Sequence, residues 1–516
     1  MATEWQSFPI AFTGGLVTNL SSLQQGINAI GSASILQNFE PSLDGGYKKV
    51  LGYEKFVSAQ LTGSGVIQGL AIVQLTGNKK VIAVRNGVYK IINKSDTTPA
   101  WATLGTASDT SFTKVRHVTY DFEGANKICF VDGVNYPAYY TTSSNAFAYL
   151  SSGVAANAAV SAATDVTVFK SSLFFAVSSS IVFSAPYTSD DFSVANGAGT
   201  IDMGSPVVKV IPYRDQLIIF CRDKILRLTG SSAADYVLNP ITEDIGCTNV
   251  SSVQEIGTDI MFLAPDGLRT LSSTDRIGDF GLDVATKNIR PTISKLQGYA
   301  SDFASMVIRD KAQYRLFAYV GAERDSVSRG VLGTKFIDQG GTGFQWAEIK
   351  GFKVYVADSK YIDEVEYRLF ANTDGYIYSL DVGLNRDGDA IEAIYKSPFM
   401  PLTDPQLRKT FYKLDLYIEP SAAIDIDVTL KYNQGDTTYP QPSPFSITRT
   451  VGGTGLYGDN STIFNTAVFG TFPARSYSTN INGSAKNVAI NIEDKGSNTG
   501  FLLDTAVFEY AVNDRQ

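Results

Sequence analysis

The sequence predicts an all-β protein: a six- to seven-bladed β-propeller over 60–395, a β-sandwich with long loops over 396–516, and an extended N-terminal arm over 1–59. Three observations predict it. A strand–turn–strand unit recurs about every 45 residues. Beyond residue 396 apolar and polar residues alternate cleanly. Gly, Ser, Thr, Asn and Tyr are plentiful in a chain of 516 residues that is 44% apolar and 18% charged, a composition of strands and turns rather than of disorder. That length exceeds one ordinary compact core, although a closed repeat fold can use most of it as one unit.

Residues 1–59 are irregular, and LSSLQQGINAI within them can hold a short helix. ILQNFEPSLDGGYKKVLGYEKF (Ile35 to Phe56) carries adjacent glycines, adjacent lysines and spaced aromatics. It is too polar to build its own core. It reads as an assembly arm that buries Phe39, Tyr47 and Tyr53 against its own propeller or a neighbouring subunit, and equally as an outer strand of the first blade.

The recurring unit is an apolar strand, a tight turn and a second strand. It appears in KKVIAVRNGVYKII, KICFVDGVNYPAYY, SLFFAVSSSIVFSAP, QLIIFCRDKILRLTG and DIMFLAPDGLRTLSS, with turn centres 46, 47, 44 and 43 residues apart. It returns in EYRLFANTDGYIYSLD, and AQYRLFAYVGAERDSVSRGVLGTKFI reads as a hairpin with a longer tip. A hairpin cannot bury both faces alone, whereas blades packed radially bury each sheet against its neighbours. Asn86-Gly87 and Asp132-Gly133 favour turns that match strand twist. DVATKNIRPTISKLQ breaks the pattern and predicts a short helix around Pro291.

In the last quarter, Ile424, Ile426, Val428, Leu430 and Tyr432 alternate with polar residues, as do Leu414, Leu416 and Ile418, and Val488, Ile490 and Ile492. Such alternation places one face in a core and one in solvent. Residues 433–485 read as long loops.

The search for chemistry assigns no catalytic, cofactor-binding or metal-ligating residue. The single histidine, His117, sits in a strand-like context with no second group to make it a base. DQGGTGF and TVGGTGLYG lack the phosphate-loop lysine. The nearest approach to a sialidase box, STDRIGDF, has Ile277 in place of glycine and no Trp, and no tryptophan precedes Asp as a Trp-Asp propeller requires. Asn385, Asp387 and Asp389 alternate as calcium ligands do, but the glycine of the full loop is missing, so the stretch reads as a polar linker. Cys129, Cys221 and Cys247 are scattered among apolar residues without metal spacing and read as buried thiols of a reducing compartment. No secretory leader or membrane span is expected. The net charge of −8 disfavours a nucleic-acid grip.

Asn38 to Pro41, Gly45 to Lys49 and Gly52 to Glu54 carry an Asn-aromatic-x-Pro element, a Gly-Gly-aromatic-basic element and a Gly-Tyr-Glu element. With KSPFMPLTDPQLRKTFYKLDLYIEP, GFLLDTAVFEYAVNDR and DKAQYRLFAYV, they give a chain that resembles the tail nozzle proteins of short-tailed bacteriophages, also called DNA-stabilisation or tail tubular proteins. The family's closing Gly-Arg is here Asn513-Asp514-Arg515, a departure in the final motif. The resemblance implies a virion protein, assembled in the host bacterial cytoplasm into a homo-oligomeric, hexameric ring. Its implied partners are a tail adaptor, fibre, needle or spike proteins, and double-stranded DNA that passes through a channel without specific binding. It implies no membrane anchor and no enzyme activity.

Six copies at −8 would carry −48, which suits a channel that lets phosphates slide. AERDSVSRG (322–330) and YNQGDTTYPQPSP (432–444) are candidate gating loops. The alternative is a carbohydrate-binding or glycan-cleaving propeller for host recognition, which would bring aromatic faces and carboxylates together on one end. A third possibility is a cytosolic propeller scaffold.

Overall fold

Each recurring hairpin forms the middle of a small antiparallel sheet. The computed structural model describes residues 5–75, 78–272, 274, 284–318, 329–338, 341–362, 364–449 and 476–513. Six sheets stand as separate blades of a β-propeller. Blades 1 to 4 (67–106, 116–149, 165–202 and 207–242) have four strands each and blade 5 (254–270) has three, all consecutive in sequence. The closing blade takes three strands from Val356–Ile362, Val365–Ala371 and Ile377–Leu380, and its fourth, Tyr53–Lys55, from the other end of the chain. Between blade 5 and the closing blade the ring has one further place. It is filled by Ala304–Ile308, Gln313–Ala318, Arg329–Asp338 and Gly341–Lys350, here called the bridging strands because their sheet continues outwards. The range of six to seven blades thus resolves into six separate blades and a seventh place shared with another sheet.

The second strands explain the apolar runs in the sequence. In blade 3, Leu173 and Phe175 pack towards Cys129 and Val131 of blade 2, while Phe174 and Ala176 pack towards Leu217 and Ile219 of blade 4. In blade 4, Ile218 and Phe220 face the other way, onto Ile260 and Phe262 of blade 5. A strand covered on both faces has no polar side, so SLFFAV, QLIIFC and DIMFLA are nearly continuous rather than alternating. The Asn86-Gly87 turn has φ of 50° and 73°, the mirror-image geometry that suits a twisted hairpin. Asp132 does something else: it opens a longer loop, its carboxylate accepting the N–H groups of Val134 and Asn135 at 2.9 and 2.7 Å.

Two further sheets share one apolar core beside the ring. Ile424, Ile426, Val428, Leu430 and Tyr432 meet Leu414, Leu416, Ile418, Phe501, Leu503 and Phe508 there, and Phe411 stacks on Tyr432 with ring centroids 5.1 Å apart. The sheets do not start at residue 396, however. Trp5–Ala11 and Tyr47–Lys49 lie along Phe501–Val512, which pairs on its other edge with Lys409–Pro420. The second sheet is nine-stranded and runs without a break from the bridging strands through Ile35–Gln37 and Ala393–Lys396 to Val488–Asp494, Ile424–Tyr432 and Phe445–Arg449.

The opening segment therefore differs from the expected arm. It is extended, but it is laid into the sheets of its own chain, where Glu40, Lys49 and Lys55 find ion-pair partners and Phe39, Tyr47 and Tyr53 find ring partners. Gly45 and Gly46, with φ of 97° and 76°, turn Phe39–Pro41 back onto Tyr47–Lys49, and a Cβ on Gly46 would come within 2.5 Å of the Leu503 carbonyl oxygen. The expected helices are present at Ser22–Asn28 and Arg290–Gln297, the second with Pro291 in its first turn. The stretch 433–485, expected as loops, also contributes the strands Phe445–Arg449 and Ser476–Asn480. STDRIGDF apart from Thr274, most of AERDSVSRG, TVGGTGLYG, Gln339 and Gly340 of DQGGTGF, and Asp514-Arg515 lie outside the described residues.

Candidate functional site: the central cavity of the propeller

The inner strands of the ring are Ile67–Leu75, Arg116–Tyr120, Asp165–Phe169, Val207–Tyr213, Gln254–Ile256, Ala304–Ile308 and Val356–Ile362. Near one end they flank a half-open cavity of about 190 Å³. Basic side chains line it: Lys114, Arg116, His117 and Lys209, with Ser251 and Gln254 also on the wall.

Two carboxylates beside the cavity stitch neighbouring inner strands together. Asp165 accepts the backbone N–H of Val210 at 2.9 Å and pairs with the Lys209 ammonium at 2.9 Å. Asp358 accepts the N–H of Ile72 at 2.8 Å and lies 3.6 Å from His117 Nε2. Burial pushes the Asp358 carboxyl up, but the hydrogen bond and charge of His117, the Ile72 N–H and Lys360 outweigh it, so the group sits below its ordinary value. His117 is thus the neighbour of a structural carboxylate.

Lys114 and Arg116 have different surroundings. Lys114 donates to the Phe303 carbonyl oxygen and lies 4.7 Å above the Tyr355 ring. Arg116 donates to the Thr164 carbonyl oxygen at 3.2 Å. These anchors are uncharged. Burial, with Arg116 as a like-charged neighbour, pulls the Lys114 ammonium down to about 7 against the pull of Asp302. Sequence reasoning noticed His117 and passed over its neighbours. The signal was TKVRH, three basic side chains within four positions where the strand Arg116–Tyr120 begins.

Phe39, Tyr47 and Tyr53 lie elsewhere, and the structure does not gather them into one site. Phe39 is fully buried, edge-on to Phe501 at 5.9 Å. Tyr47 is fully buried, donates to the Gly31 carbonyl oxygen and accepts the Gly15 N–H, both at 3.0 Å. Tyr53 packs edge-on against Phe352, Phe370 and Tyr378 in the closing blade. None has a face left for a neighbouring subunit.

Sequence reasoning noted the lysines of the same segment but not how its charges pair. Glu40 accepts from Lys311 at 2.8 Å and Arg315 at 3.0 Å, and Asp381, just past the closing blade's third strand, takes the same two cations at 2.9 and 2.7 Å. Lys49 pairs with Asp494 at 2.8 Å and donates to Thr499 at 2.6 Å. Opposite charges far apart in sequence carry no local pattern that would pair them. The calcium-like loop is also engaged: Asp387 pairs with Lys55 at 2.9 Å, and the Asn385 amide bonds Asn498 at 2.7 Å.

No protein-family model matches the chain, and no curated protein matches it. Solved structures do. One is PorZ, a bacterial surface component of the type-IX secretion system of Porphyromonas gingivalis, at 12% identity and a TM-score of 0.38. That match covers 66% of this chain and 42% of that one, so this chain spans less than half the length of PorZ. Another is the set of WD40 repeats of RRP9, at 10% identity and a TM-score of 0.40, covering 64% of this chain and 99% of that one. These are likenesses of fold alone.

Proposed function

We propose that the protein is a structural component of a virion, the tail nozzle of a short-tailed bacteriophage, which forms a hexameric ring whose channel retains and then releases genomic DNA. One observation carries the reading. The three sequence elements that resemble that family, Asn38 to Pro41, Gly45 to Lys49 and Gly52 to Glu54, coincide with the segments that join the propeller to the outer sheets. Asn38 bonds the Glu392 carbonyl and the Lys350 N–H at 2.7 and 2.8 Å, and a Cβ on Gly52 would come within 1.7 Å of the Asn385 oxygen. A subunit that must hold its shape around a channel gains from such joints. The partners are an adaptor, fibre, needle or spike proteins, and duplex DNA that slides without being gripped, in keeping with a net charge of −8.

A glycan-cleaving reading has less support, since the two carboxylates beside the central cavity each hold a backbone N–H and a neighbouring basic side chain, Lys209 for Asp165 and His117 for Asp358. The test is electron microscopy of the purified protein with and without an adaptor ring from the same virion. Six-fold rings, or rings that form on the adaptor, are expected. A protein that stays monomeric under both conditions overturns the reading.

A further inference from the structure

We propose that the central cavity of the propeller binds a small, multiply charged oxyanion of the phosphate or sulfate type. This goes beyond the nozzle reading and does not depend on it, because the site lies within one chain.

The argument rests on which charges are already satisfied. Asp165 pairs with Lys209 and accepts the Val210 N–H, and Asp358 accepts the Ile72 N–H and lies 3.6 Å from His117 Nε2. Asp165 attracts Arg116 and Asp302 attracts Lys114 only at longer range: among the described residues neither cation makes a close ion pair with a carboxylate, and burial pulls both down despite that attraction. Both are half-buried on the cavity wall. They stand two residues apart, the spacing that puts side chains on one face of an extended chain. Their contacts to the Phe303 and Thr164 carbonyl oxygens fix position without neutralising charge.

Partly desolvated cations are costly unless a counter-charge joins them. A guanidinium bonded once retains N–H donors in a planar fork, and an ammonium bonded once retains two more, which together suit tetrahedral oxygens. The cavity, at about 190 Å³, admits an ion of that size with water but no folded partner. Ser251 and Gln254 add polar groups to the wall. Cavity water alone would solvate the cations less well than an anion that answers both at once.

The experiment uses the purified full chain. Sodium sulfate and inorganic phosphate are titrated by calorimetry and by thermal shift, with sodium chloride at matched ionic strength as reference. A saturable response to sulfate and phosphate but not chloride is expected, weakened at least tenfold in Lys114→Gln and in Arg116→Gln. The variants' far-ultraviolet dichroism and unfolding cooperativity report whether they fold. Lys114→Arg, which keeps the charge, retains binding. Selenate soaked into crystals of the unaltered protein gives an anomalous peak in the cavity, a readout that needs no variant. A non-saturating rise shared by all variants, or no selenate in the cavity, overturns the proposal. A short oligothymidylate that displaces sulfate at lower concentration than phosphate does would assign the cations to nucleic acid and overturn it too.

Discussion

The carboxylate of Asp358 in the closing blade accepts the backbone N–H of Ile72 in blade 1 at 2.8 Å, across the seam where the ring shuts. Ile72 is buried, so this donor has no water to turn to. Asp358→Ala is expected to cost about 2 kcal/mol, the penalty of an unsatisfied buried donor plus a lost charge-assisted bond. The urea midpoint of unfolding measures it. A midpoint unchanged from the parent protein refutes a closing role for this contact.

The Glu40–Lys311–Arg315–Asp381 cluster should yield only to strong acid. Burial pushes the Asp381 carboxyl up, but Arg315 and Lys311 overcome it and hold the group to about 2. A depressed carboxyl contributes stability that is complete above its unfolded value of about 4 and is lost as pH falls through its folded value. The contribution is on the order of 2 kcal/mol. Melting temperature should therefore fall between about pH 4 and pH 2, and Asp381→Asn should flatten that limb while lowering stability at pH 7.

Removal of residues 1–57 should do more than prevent assembly. It deletes Tyr53–Lys55 from the closing blade, Ile35–Gln37 from the nine-stranded sheet and Glu40 from its buried cations. Loss of a partner from a buried ion cluster alone costs about 3 kcal/mol or more. The truncated chain is expected to lose cooperative unfolding and to be cut by protease under native conditions. A truncated chain that melts like the parent would show the segment to be dispensable for the fold.

The affinity of the central cavity for sulfate, which stays doubly charged across this range, should fall as pH rises from 6 to 8.5. Lys114, held to about 7, is charged below that value and neutral above it. The groups facing it are Arg116, His117, Lys209 with Asp165, and Asp302. Lys114→Arg should remove the fall and His117→Gln should keep it, which separates the lysine from the imidazole.

The three thiols should be silent. Cys129, Cys221 and Cys247 are buried, and burial pushes all three up, Cys221 and Cys247 to about 11. A thiol reagent should label none of them until the protein unfolds. Rapid labelling in the native state would contradict this packing.

The propeller was legible because its signal is local. Each hairpin lies within one stretch of chain, and a second strand such as Leu173 to Ala176, packed on both faces, writes itself as an apolar run. Alternation from Ile424 to Tyr432 was legible for the converse reason, one face in a core and the other in water. What the sequence hid is pairing over long separations. Tyr53 with Leu380, and Lys49 with Asp494, depend on how the ring closes, and a three-residue strand such as Tyr53–Lys55 is too short to show a period. The aromatics of the opening segment were legible as residues in need of cover, while the sheets and blade that cover them were not. Lys114, Arg116 and His117 sit together in the sequence, but their convergence with Lys209, Ser251 and Gln254 exists only in the closed ring.

The strand Tyr53–Lys55 also sets a clock. It leaves the ribosome some 324 residues before Ile377–Leu380, the strand it must join. At about 5–20 residues per second that is roughly 16–65 s of waiting with an unpaired edge. Trp5–Ala11 waits longer still, for Phe501–Val512 near the far end of the described chain. Blades 1 to 5 need no such delay, since their strands are neighbours in sequence. Synthesis should therefore yield an open row of blades first and the closed ring last, with the outer sheets completed in the same late step. A nascent chain stalled before residue 377 would carry formed blades and a protease-sensitive opening segment.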